Sequence, residues 1–257
     1  MAALPFDGIF KQGQAPRKKE LVLFVHHYGG SAKTTRRHGK LVNSLGYDSF
    51  HFSLPNNPIL KGNKRKAELV GFILEQLRLG LDRIWGRSVL KVLNHFEDRE
   101  IIIYSFSSPS FGALYAMAHF RHKNQIKGWI CDGGPFFSMW KSFWNYFGKI
   151  EGIHNPILKG LASTGTFALW GGPNLSKKSN KYMAALPKNF PVLSIRGSED
   201  PLVPSSAIEM VFEHHNQLAL KRHIIQGGGH LDGLKQHPDQ YQPIVEKFLG
   251  NISAQAK

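Results

Sequence analysis

Between Ile101 and Ala118 the chain changes its pattern within a few residues, from Ile101-Ile102-Ile103-Tyr104-Ser105-Phe106-Ser107 to Ser108-Pro109-Ser110-Phe111-Gly112-Ala113 and then Leu114-Tyr115-Ala116-Met117-Ala118. The first part is an apolar, β-branched run that reads as a strand, and the last part reads as a helix. A strand that turns so sharply into a helix makes a strained elbow, and a serine at its apex keeps its hydroxyl exposed. Small residues two before and two after the apex allow that turn. Ser108 and Gly112 supply them around Ser110, so the elbow mechanics favour Ser110 as the nucleophile. A competing elbow, Ser105-Phe106-Ser107-Ser108-Pro109, would put Ser107 at the apex, with a proline where close packing asks for a small residue.

An exposed hydroxyl is still a weak nucleophile; it needs an adjacent base, and the base needs a group that fixes its tautomer. Two later segments offer these. The buried-strand pattern Pro191-Val192-Leu193-Ser194-Ile195 runs into a loop carrying Asp200, and Ile224-Ile225 leads through Gln226-Gly227-Gly228-Gly229 to His230. Each residue alone has an ordinary explanation: Ser110 as a helix N-cap, Asp200 as a turn residue before proline, His230 as one of 13 histidines. Together, in the order Ser, Asp, His on alternating strand and helix segments, they point to nucleophilic catalysis.

On Ser108-x-Ser110-x-Gly112, Gly197-x-x-Asp200-x-x-Val203, the Gly229-His230 step and their spacing, the chain resembles the α/β-hydrolase superfamily over nearly its whole length. The resemblance implies Ser110 as nucleophile, Asp200 as acid and His230 as base. Asp132, after the strand-like Gly128-Trp129-Ile130-Cys131, is the alternative acid, since some members carry the acid one strand earlier. Leu21 to Gly30 looks like the superfamily's early strand and oxyanion loop, which implies the backbone N–H groups of Tyr28 and Phe111 as oxyanion donors. Two positions depart from the pattern: Ser108 stands where glycine is usual, and His26-His27 replaces a His–Gly pair.

Alternation of elements agrees with this. Strands are expected near 21–26, 47–53, 100–107, 127–132, 190–196 and 221–226, and helices near 33–45, 64–96, 110–121, 205–217 and 237–249. The predicted fold class is α/β: a mostly parallel central sheet with helices on both faces and a small aromatic-rich cap insert. In the long helical stretch Leu69, Phe72, Ile73 and Leu77 share a face, with Gly80 and Gly86 as candidate breaks. The superfamily's first two strands look short or missing. No linker or repeat divides the 257 residues, so a single domain over 1–257 is expected, with the cap at about 134–188. In this superfamily an insert at that place covers the active site, and His26, His27, Phe136, Phe137, Trp140, Phe143 and Trp144 are the candidates to line a pocket for an apolar acyl or alkyl group; the same aromatics could simply pack the cap onto the sheet.

With 33 Lys plus Arg against 18 Asp plus Glu, the net charge of +15 favours anionic partners. Weak association with an anionic membrane surface or an anionic substrate is therefore expected, but no specific nucleic-acid binding, because no recognised module accompanies the basic clusters. The N-terminal residues lack the basic and apolar regions of a secretory signal, and the lone Cys131 fits a reducing compartment, so a cytoplasmic location is the expectation. Gly29-Gly30-Ser31-Ala32-Lys33-Thr34-Thr35 lacks the glycines of a phosphate loop. The histidine pairs lack a third ligand, and no metal or organic cofactor is expected. The reading is a serine hydrolase acting on a small-molecule carboxylic ester or thioester through an acyl-enzyme. The alternatives are an acyltransferase or peptidase with the same triad, or a hydrolase-like binding protein with little or no activity.

Overall fold

The computed structural model describes residues 7–55, 80–170 and 172–255. In chain order its elements are β1 (Ile9–Lys11), β2 (Leu21–Val25), α1 (Arg36–Ser44), β3 (Asp48–His51), α2 (Leu81–His95), β4 (Ile101–Phe106), α3 (Ser110–His119), β5 (Ile126–Asp132), α4 (Met139–Lys149), α5 (Pro156–Leu169), α6 (Leu175–Ala184), β6 (Pro191–Gly197), α7 (Ser205–Phe212), β7 (Ala219–Ile225), α8 (Gly233–Gln236) and α9 (Pro238–Gln255). The strands form one sheet in the order β1-β3-β2-β4-β5-β6-β7. Among the described residues only β1 runs antiparallel, against β3. The other strands pair in parallel.

Strands such as Leu21–Val25 and Ile101–Phe106 are buried throughout and largely apolar because both faces of the sheet are covered. Alternate side chains divide between two cores. On one face Leu21, Leu23, Ile101, Ile103 and Trp129 meet Trp85, Val89 and Val92 of α2 and Phe111 and Leu114 of α3. On the other, Val22, Phe24, Ile102, Tyr104 and Ile130 meet Val42 of α1 and Tyr241, Val245 and Phe248 of α9. This places the central strands' C-terminal ends, where α/β folds bind ligands, along one edge of the molecule.

Each expected strand is present within two residues of its expected bounds, and β1 is a short strand that the sequence pattern missed. Leu69, Phe72, Ile73 and Leu77 lie outside the described residues. Gly80, with φ 81°, immediately precedes α2, whereas Gly86 does not break that helix. It sits inside α2 with the Tyr115 ring of α3 packed where a Cβ would be, 2.3 Å away. Between β5 and β6 the chain forms three helices, α4 to α6, with α4 and α5 packed on each other. Among the described residues no helix is long and apolar enough to cross a membrane.

Candidate functional site

The apex of the elbow is Ser107. It follows directly on the last residue of β4 and has φ 54°, a left-handed conformation that a non-glycine residue adopts only where its surroundings enforce it. Those surroundings are visible: the Ser107 N–H donates to the Asp132 carbonyl at 2.8 Å, and its own carbonyl accepts from Ser110 N–H at 3.1 Å. A Cβ on Gly134 would stand 2.3 Å from the Ser107 carbonyl oxygen, so only glycine lets the β5 loop close over the turn. From this position Ser107 Oγ lies 3.0 Å from His230 Nε2.

Ser110 is elsewhere. It is the first residue of α3, fully buried. Trp129 Nε1–H donates to Ser105 Oγ at 2.8 Å, and the Ser105 hydroxyl donates to Ser110 Oγ at 2.9 Å. The expectation that Ser110 meets His230 is therefore corrected to Ser107. The proline that weighed against Ser107 is accommodated at the start of α3: Pro109 has φ −59°, and a missing N–H costs nothing where the helix has no carbonyl to receive it. Phe111 is corrected with it as an oxyanion donor, because its N–H is bound to the Ser108 carbonyl at 3.0 Å. The residue after the apex is Ser108.

Asp200 and His230 are brought together by the loops that follow β6 and β7. His230 Nδ1 lies 2.6 Å from Asp200 Oδ2, and Asp200 Oδ1 accepts from the N–H groups of Leu202 and Val203 at 2.8 and 2.9 Å. The carboxylate is thus buried but fully hydrogen-bonded, as a buried charge must be. It accepts a hydrogen bond from His230 Nδ1–H, which leaves Nε2 to accept from Ser107. Close passage of the two loops depends on Gly197, whose Cβ would fall 2.1 Å from the Gly228 carbonyl oxygen.

Asp132 does not join this chain. Its Oδ2 accepts from the Tyr241 hydroxyl at 2.6 Å, and that hydroxyl also meets Tyr104. Burial, opposed by the Tyr241 hydrogen bond, pushes the Asp132 carboxyl up to about 6. Because the folded state holds this proton more tightly than the unfolded chain, its stabilising contribution is full below about pH 4 and is lost as the pH rises through about 6. Wild type is expected to lose on the order of 3 kcal/mol relative to Asp132→Asn across that window. Chemical denaturation of both proteins at pH 4 to 7 measures it. The difference between them isolates Asp132, since the buried His27, His38 and His51 have lowered pKa values and act in the opposite sense. A pH-independent difference would contradict the assignment.

Beside Ser107 and His230 opens a cavity of about 710 Å³, within the range of small-molecule sites. Phe136, Phe143, Tyr146, Phe147, Ile150, Trp170, Leu202 and Val203 give it a mostly apolar wall, much of it from the segment between β5 and β6. Of the pocket candidates, His27, Phe136 and Phe143 line it, and His26, Phe137, Trp140 and Trp144 do not. Trp140 stacks on Trp144 with ring centroids 5.3 Å apart, and Phe137 packs beside Phe111. His26 braces the loop instead. Its Nε2 accepts from Leu54 N–H at 2.8 Å, so its Nδ1 carries the proton and donates to the His27 carbonyl at 2.7 Å.

His27, Thr35 and His38 make a polar corner, and Tyr28 lies along the same stretch of wall. Among the described residues neither ring nitrogen of His27 or His38 has a hydrogen-bond partner. Burial first, with neighbouring positive groups, lowers His27 to about 4 and His38 to about 3, so both rings are neutral near pH 7. Nothing in the sequence sets Thr35 and His38 apart from the other residues of the helix expected over 33–45, so no signal there marks them as cavity residues. Tyr146, Phe147 and Trp170 lie in the same aromatic-rich segment but are not among the expected pocket residues. Cys131 is a buried free thiol, and burial raises its pKa.

No protein-family model matches the chain, and no curated protein matches it in sequence. Solved structures do match its fold. An esterase of Pyrococcus furiosus is 15% identical, with a TM-score of 0.62 over 92% of this chain and 83% of its own. A structure from a study of carboxylesterases of the thaumarchaeon Nitrososphaera gargenis is 13% identical, with a TM-score of 0.63 over 96% of each chain. MenH from S. aureus is 14% identical, with a TM-score of 0.61 over 95% of this chain and 98% of its own. With the sheet order described above, these likenesses establish the α/β-hydrolase fold for this chain.

Proposed function

We propose that the protein is a serine hydrolase that cleaves a carboxylic ester or thioester through an acyl-enzyme on Ser107. The observation that carries the reading is the continuous chain from Ser107 Oγ to His230 Nε2 and from His230 Nδ1 to Asp200, set at the edge of an apolar cavity. Ser107 Oγ attacks the substrate carbonyl carbon while its proton passes to His230 Nε2. The tetrahedral intermediate collapses, and the same proton goes to the departing alcohol or thiol. Water then attacks the acyl carbon while its proton passes to His230, and collapse of the second tetrahedral intermediate breaks the bond to Ser107 Oγ, which takes that proton back from His230 as the acid leaves. Asp200 holds the imidazole in its tautomer and stabilises the imidazolium without taking the proton.

The elbow rule assigns the oxyanion to the backbone N–H groups of Ser108 and Tyr28, each worth roughly 3 kcal/mol in the transition state by the usual effect of removing a donor. The apolar wall suits an acyl or alkyl chain, and the neutral His27 and His38 rings offer a donor and an acceptor to a polar part of the substrate. Rapid mixing with p-nitrophenyl butyrate tests the reading. A burst of p-nitrophenol equal to the enzyme concentration, followed by slower turnover, is expected for an acyl-enzyme. Release no faster than that of the Ser107→Ala variant would overturn it.

A further inference from the structure

The helix α5, Pro156–Leu169, lies on the surface with an apolar face outward. Ile157, Leu158 and Leu161 are 72, 58 and 68% exposed. Thr164, Gly165 and Ala168 continue the exposed side, and the helix's single charged residue, Lys159, is only half-buried, with its ammonium 4.1 Å from the Trp144 ring centroid. A solvated helix normally turns a polar face to water. Here the buried side holds Ser163, whose hydroxyl donates to the Lys159 carbonyl, and the apolar side is the one left open. At the end of the neighbouring α4, Ile150 is 59% exposed and also lines the cavity. Thr166 of α5 lines it too, so α5 and the end of α4 both reach the cavity wall.

Charge identifies what covers the patch. Residues 134–188 contain seven lysines and no arginine, with Glu151 as the one acidic residue, and Glu151 accepts from the Tyr146 hydroxyl. Lys141 and Lys149 are exposed on α4, beside α5. An apolar helix face bordered by lysines on a chain of net charge +15 matches a bilayer whose headgroups are negative and whose acyl region lies just beneath them.

We infer that α5 and the end of α4 form a docking face for an anionic phospholipid surface, from which the cavity takes a lipid-borne ester. The source of substrate in this inference rests on the hydrolase reading, whereas the docking itself does not. Ile157 and Leu161 enter the acyl boundary of the bilayer, and Lys141, Lys149 and Lys159 sit at headgroup level. Neither Ile157 nor Leu161 lines the cavity, so the two functions separate by substitution.

The test is flotation of the full chain with vesicles of phosphatidylcholine alone or mixed with phosphatidylglycerol. Wild type and Ser107→Ala are both expected to float with the mixed vesicles, less so at high salt. Ile157→Glu/Leu161→Glu is expected to partition at least about tenfold more weakly, because two carboxylates replace the inserting side chains, while turnover of water-soluble p-nitrophenyl butyrate stays at the wild-type level. Failure of wild type to float with the mixed vesicles would overturn the docking face, whatever its esterase activity. Undiminished binding by the double variant would overturn it as well. So would a wild-type dimer, seen by light scattering, that the double variant dissolves without any vesicle binding, since the occupant would then be a second copy of the chain. Vesicle binding with no turnover of any ester would count against the hydrolase reading and leave the docking face standing.

Discussion

Ser107→Ala is expected to lower kcat for ester hydrolysis by about 10⁶-fold, the scale on which removal of a triad nucleophile acts, while Ser110→Ala leaves kcat within a few-fold of wild type. The two serines are three positions apart, yet their surroundings differ in kind. Ser107 Oγ is 3.0 Å from the base, on a residue held at φ 54°. Ser110 Oγ ends a buried hydrogen-bond chain that runs from Trp129 through Ser105. Its loss leaves the Ser105 hydroxyl without that acceptor and is expected to cost about 1 kcal/mol of stability, the net value of a typical hydrogen bond. Steady-state kinetics with p-nitrophenyl esters and thermal unfolding of both variants check the pair together. Full activity in Ser107→Ala would end the account.

Asp200→Asn is expected to reduce kcat by about 10⁴-fold with little change in fold, since the amide oxygen stays with the Leu202 and Val203 N–H groups and the amide NH2 then donates to Nδ1, leaving the imidazole in the wrong tautomer. Asp132→Asn is expected to change kcat by less than tenfold. Both carboxylates stand at the ends of neighbouring strands, β6 and β5. Only Asp200 lies at hydrogen-bonding distance from His230, and two backbone N–H groups hold its other oxygen in place. Asp132 instead accepts from Tyr241 beneath the elbow and acts on the pH dependence of stability. Measuring kcat for the two variants side by side separates the roles. Comparable losses in both would mean that the acid is shared or misassigned.

Much of the architecture was legible because burial on both faces makes the central strands near-continuous apolar runs, as in Leu21–Val25 and Ile101–Phe106. The loops bearing Asp200 and His230 were legible for another reason: each follows an apolar run and carries its chemistry on a short polar segment. The apex of the elbow was read one helical turn too far along. Ser105, Phe106, Ser107 and Ser108 give no sign of where β4 stops, and Gly112 drew weight that belongs to packing between α2 and α3, where its Cβ would fall 2.8 Å from Trp85. The α4 to α6 insert was recognised by its aromatics but not divided into those that line the cavity and those that stack outside it. That division depends on the rotation of α4, which turns Phe143 and Phe147 inward and leaves Trp140 41% exposed.

The most direct test of the central claim is the site of covalent modification. Purified protein treated with a fluorophosphonate and digested should yield, by tandem mass spectrometry, one phosphonylated residue, Ser107, with Ser110 in the same peptide unmodified. An adduct on Ser110, or no adduct on a correctly folded protein, would contradict the account.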